Sequence, residues 1–155
     1  MPDQAIIDQL IATYRELNMK VRGRDFGQLQ TPEELIGKSD SVPAILFALR
    51  NRELNVSQSV KAMLLGLAVT GDDETAVLSE QQIAAGTSAS VLLSQFGTAR
   101  ESILSLVREL PDETWEKTFT TPRGEMSLRA YLQTLVDRDA ERMKQIDGLL
   151  GKVGV

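Results

Sequence analysis

A chain of 155 residues, 42% apolar and 25% charged, has the size and composition of one globular domain with its own core, not of a disordered chain. Its formal net charge is -5, and without a long basic run it argues against non-specific nucleic-acid binding, which depends on Lys and Arg neutralising phosphates. It contains no histidine and no cysteine, which excludes a disulfide framework, a Cys nucleophile, a His general base, a Ser-His-Asp triad and a Cys/His zinc site.

In chain order, the N-terminal MPDQAIIDQL carries an acid where a secretory signal carries basic residues. No apolar run approaches the roughly 18 to 20 residues of a membrane span. The expected location is the cytoplasm, with no membrane partner. A first helix is predicted from Ile6, Ile7, Leu10, Ile11, Tyr14 and Leu17, with Asp3 as its cap. Lys20, Arg22 and Arg24 follow as a basic patch best read as a solvated loop. Thr31-Pro32-Glu33-Glu34 is a capping box that predicts a short helical turn ended by Gly37.

A second long helix is predicted from Ser41, with Pro43 tolerable in its first turn. Its stripe is Val42, Ile45, Leu46, Leu49, Val56, Val60, Met63, Leu64 and Leu67. Residues 70–87 read as a long connection. A third helix begins near Thr87 or Ser88 and carries Val91, Leu92, Phe96, Ala99, Ile103, Leu106 and Leu110. LPDETW and TTPRGE read as turns, and Ser127 as the cap of a fourth helix running to about Gly148. That helix presents Leu128, Tyr131, Leu132, Leu135, Ile146, Leu149 and Leu150. No segment reads as a strand. The expected fold is therefore all-α: one four-helix-bundle domain over residues 1–155, whose long connection between helices 2 and 3 allows a crossover.

Two stripes contain charge. At about 100° per residue, Glu53 falls near the centre of the second helix's apolar face and Asp139 near that of the fourth. Arg142 falls about 40° from that centre, and Arg138 lies at the edge. Buried charges require partners, and three arrangements satisfy that requirement. Glu53 and Asp139 can form a structural network with Arg138 and Arg142. The two arginines, one turn apart, can instead fork around a carboxylate or phosphate. Glu53 and Asp139, with Asp137 or Glu141, can also hold a hard cation through oxygen alone, although two adjacent arginines would oppose it.

Residues 96–146 contain Leu110-Pro111, Glu113, Trp115, the run GEMSLR at 124–129 and Gln145-Ile146. In these features the segment resembles the DinB-like (DinB/YfiT) superfamily, with its LP-x-E-x-W turn, GE-[MT]-[ST]-L-R helix start and closing QI. Residues 41–53 resemble the family's second helix more weakly and lack its tryptophan. The resemblance implies an up-down-down-up bundle, often dimeric, holding a divalent metal through one histidine on the second helix and an H-x-x-x-H pair on the fourth. It also implies thiol-dependent transferase or isomerase activity in some members. Carried onto this chain, the metal positions fall on Ala48, Arg138 and Arg142. Arginine is a permanent cation and cannot ligate a metal.

Trp115, Gly124 and Ser127 read as a core anchor, a turn glycine and a cap. No catalytic residue, metal or other cofactor is therefore expected. The expected reading is a metal-free binding or accessory protein whose Arg138 and Arg142 hold Glu53 and Asp139 or offer one guanidinium to a small anionic ligand; pairing as a homodimer is what the resemblance implies. The alternatives are a divergent transferase using oxygen ligands or no metal, and a structural homodimer with a filled cleft.

Overall fold

In a computed structural model of the protein, residues 4–21, 42–69 and 89–152 are described. They form α1 (Gln4–Val21), α2 (Val42–Leu64), α3 (Ala89–Val107), a short α4 (Asp112–Glu116), β1 (Thr118–Thr121), β2 (Gly124–Ser127) and α5 (Leu128–Lys152). The capping box at Thr31, the cap at Asp3, the basic patch beyond Val21 and the connection at 70–87 lie outside the described residues.

The helices form where apolar residues recur at helical spacing. Ile6, Ile7, Leu10 and Leu17 of α1 are buried, as are Ile45, Leu46, Leu49, Val56, Val60 and Met63 of α2. Helix α2 ends in a Schellman motif. Gly66 adopts φ 74°, its N–H donates to Met63 O at 3.0 Å, and Leu67 N–H donates to Ala62 O at 2.9 Å. The motif turns the chain away from the core, so Leu67, expected on the stripe, is 58% exposed.

Two hydrophobic clusters give the helix directions. One joins Ile6, Ile7 and Leu10 to Val56, Val60, Ile103, Val107, Leu128, Tyr131 and Leu132. The other joins Leu17 and Val21 to Ile45, Leu46, Leu92, Phe96, Met143 and Ile146. One end of the bundle therefore gathers the starts of α1 and α5 with the ends of α2 and α3. The opposite end gathers the complementary halves, so α1 and α5 run one way and α2 and α3 the other. This is the expected up-down-down-up bundle, with parallel α2 and α3 as close neighbours.

Between α3 and α5 the chain does more than turn twice. Helix α4 starts at Pro111 and seats Trp115, fully buried, in the first cluster. TTPRGE lies within a β-hairpin, where the sequence predicted only a turn: β1 and β2 pair antiparallel, with Phe119 opposite Met126 and Thr121 opposite Gly124. Gly124 adopts φ 103°, a conformation that favours glycine. Thr121 Oγ1 closes the turn by donating to Gly124 O at 2.7 Å and accepting from Arg123 N–H at 3.1 Å. Val69 N–H donates to Thr120 O at 2.9 Å, tying the exit of α2 to this hairpin. Ser127 Oγ accepts from Ala130 N–H at 3.0 Å and caps α5, as its position predicts. No helix among the described residues is long and apolar enough to cross a membrane.

Candidate functional site

A charged layer separates the two apolar clusters. Its centre is Arg100 of α3, whose side chain is 1% exposed. A guanidinium has five N–H donors, and every one is used. Nε donates to Glu53 Oε2 at 2.6 Å and Nη2 to Glu53 Oε1 at 2.9 Å, a bidentate fork. Nη1 donates to Asp139 Oδ2 at 3.0 Å and to the Leu10 carbonyl at 2.9 Å. Nη2 also donates to Asp139 Oδ1 at 3.3 Å. One side chain on α3 thus binds α1, α2 and α5. The guanidinium also lies 5.0 Å from the Phe96 ring centroid.

Arg52 completes the layer. Its Nη2 donates to Glu53 Oε1 at 3.1 Å and also to Asp139 Oδ1. Two arginines and two carboxylates, all buried, form a network of zero net charge. Burial alone would pull the Arg100 pKa down and the Asp139 pKa up. The opposite charges and their hydrogen bonds outweigh it: Arg100 is held above its ordinary value by Glu53 and Asp139, and Asp139 below its own by Arg100 and Arg52. Asp139, clamped by two permanent cations, is not poised as a proton donor or acceptor near neutral pH.

Of the residues selected from the sequence, Glu53 and Asp139 meet at this layer. The arginines that clamp them are Arg52 and Arg100, which the periodicity did not single out. Arg138 and Arg142 are half-buried on α5, on either side of Asp139. Arg138 Nε donates to Thr134 O at 3.2 Å, and Arg142 Nη1 donates to Gln145 Oε1 at 3.2 Å. Ala48 is half-buried on α2, one helical turn before Arg52. Asp137 and Glu141 are exposed, and Asp137 accepts from Gln133 Nε2 at 3.0 Å.

One part of the network is incomplete. Arg52 Nε and Nη1 are buried without a hydrogen-bond partner, as is Nδ2 of the preceding Asn51. Arg50, one turn before Leu54, also has unpartnered Nε and Nη2.

No family model and no curated protein matches the chain. A solved structure does: YfiT from Bacillus subtilis, described as a probable metal-dependent hydrolase with an unusual four-helix bundle topology. The two superpose with a TM-score of 0.74 at 19% identity, over 97% of this chain and 87% of that one. At that identity the likeness establishes the fold.

The residues do not fit the metal that the resemblance implies. The three carried-over positions are Ala48, Arg138 and Arg142, of which none offers a lone pair to a cation. The two buried carboxylates have their oxygens engaged by guanidinium groups. Among the described residues, no group of three or more His, Cys, Asp or Glu side chains is placed to hold a metal.

Proposed function

We propose that this chain is a DinB-like bundle acting as a metal-free, non-catalytic binding or accessory protein in the cytoplasm. The observation that carries this reading is the Arg100 clamp, in which five donors engage two carboxylates and a main-chain carbonyl at the centre of the bundle. Such a network fixes how the four long helices meet, and it occupies Glu53 and Asp139, the two carboxylates buried among their described residues. In this reading Arg138 and Arg142 stand where the family's ligands would, and Arg52 keeps two buried donors without partners one turn from Ala48. These cations suit a small carboxylate or phosphate ligand. Pairing of two chains as a homodimer belongs to the same reading, and light scattering across a concentration series tests it.

The fold likeness to a probable metal-dependent hydrolase favours a second reading, a divergent enzyme that uses oxygen ligands. Elemental analysis of untagged, unchelated protein separates the two. The proposal expects substoichiometric metal. One equivalent of a divalent metal per chain would overturn it and return Glu53 and Asp139 to candidacy as ligands. The tag must be absent, because polyhistidine would supply the donors this chain lacks.

A further inference from the structure

A groove of about 470 Å³ lies between α2 and α3. Its walls include Arg50, Leu54, Ser57 and Lys61 on α2, with Gln95 and Ser102 on α3. None of its described lining residues is acidic, on a chain whose net charge is -5.

Arg50 is the unusual member. It is 3% exposed, yet among the described residues no carboxylate pairs with it. Its Nη1 donates to Gln95 Oε1 at 2.7 Å, and its guanidinium lies 5.1 Å from the Phe47 ring centroid. Nε and Nη2 are buried and unpartnered. Arg100 is buried to the same degree and has all five donors satisfied. A buried guanidinium lacking counter-charge is costly, and burial lowers the Arg50 pKa below its ordinary value. Gln95 and Phe47 fix the orientation of the side chain, so the unsatisfied N–H pair is preorganised to receive a planar or tetrahedral oxyanion.

We propose that the α2–α3 groove is a binding site for a small organic anion whose carboxylate or phosphate sits on Arg50. Leu54 offers the body of the ligand an apolar contact, and Ser57, Ser102 and Gln95 offer hydrogen bonds. Lys61 lies about 16 Å further along α2 at 1.5 Å per residue, and it extends the positive potential toward the far end. The groove's volume is in the range of small-molecule sites. Neither Arg138 nor Arg142 lines this groove, so the two proposed sites can exist independently.

Amide NMR spectra of the unmodified chain, titrated with inorganic phosphate and with citrate at constant ionic strength, test the proposal. Shifts centred on Arg50, Leu54 and Gln95 are expected, with a melting-temperature rise of about 2 °C or more. The shifts at the groove should be lost in Arg50→Met and kept in Lys144→Gln, an exposed position on α5. Without added anion, Arg50→Met should melt at or above the parent chain, because it removes a buried charge with unmet donors. No response to either anion, or groove shifts retained by Arg50→Met, would overturn the proposal. Shifts confined to Arg138 and Arg142 would also overturn it while leaving the cleft reading intact.

Discussion

Arg100 shows why a buried charge can be obligatory without being strongly stabilising. Desolvating four charges costs about as much as their mutual attraction returns, but removing one member leaves the others unmet. Arg100→Met should therefore destabilise the fold by about 3–5 kcal/mol in urea unfolding, and Glu53→Gln by about 3 kcal/mol or more. Replacing Arg52, Glu53, Arg100 and Asp139 together with apolar residues of similar volume should cost far less than the sum of the single changes. Arg142→Leu, at a half-buried position on α5, should cost less than about 1 kcal/mol. Strictly additive losses in the fourfold variant would show that the network is not a single unit. At this scale the sequence was half legible. Glu53 and Asp139 interrupt apolar stripes near their centres and announce themselves. Arg100 does not, because the stripe of Leu92, Phe96, Ala99 and Ile103 is complete without it. Only the burial of Leu93, Leu104 and Val107 moves the centre of that face toward Arg100. Arg52 lies about 100° from Glu53 around its helix, and it is hidden because residues 49–53 are all buried, which periodicity cannot anticipate.

At the scale of elements, close approach of α1 and α3 depends on Gly97. A Cβ added there would lie 2.5 Å from Tyr14 Cε2 and 2.7 Å from the Tyr14 hydroxyl. Gly97→Ala gains about 1 kcal/mol of helix propensity and forces the tyrosine ring to move. Overpacking typically costs about 1–3 kcal/mol, so the expected net effect is destabilising. In a Tyr14→Leu background the same substitution should become neutral or stabilising. A loss of equal size in both backgrounds, in a double-mutant cycle, would locate the constraint elsewhere. Ser127→Ala should cost about 1 kcal/mol through the lost cap of α5. The long helices and this cap were readable because 3.6-residue periodicity over many turns is a strong signal. The hairpin was not: strands of four residues are too short for alternation to stand out, and Pro122, Arg123 and Gly124 advertised only the turn.

For the whole molecule, the up-down-down-up winding places two apolar clusters at opposite ends and the charged layer between them. Each long helix contributes to that layer: Leu10 O from α1, Glu53 and Arg52 from α2, Arg100 from α3 and Asp139 from α5. Its protonation is therefore coupled to global stability. The folded pKa of Asp139 lies below its ordinary 3.8. The sign follows: its stabilisation is complete above that value and is lost as pH falls toward and through the lower folded value. Unfolding free energy should decline as pH drops below about 4. Arg100, held above its ordinary value, keeps its contribution throughout the neutral and mildly alkaline range.

The central claim is that this layer is a closed ion network rather than a metal or proton-transfer site. The most direct measurement is a ¹³C NMR titration of the Asp139 carboxyl carbon from pH 8 to pH 2, with and without saturating Zn²⁺ or Mn²⁺. The account predicts an ionised carboxylate that titrates below its ordinary range and is unmoved by either metal. Titration near neutral pH, or a shift or broadening on adding metal, would contradict it.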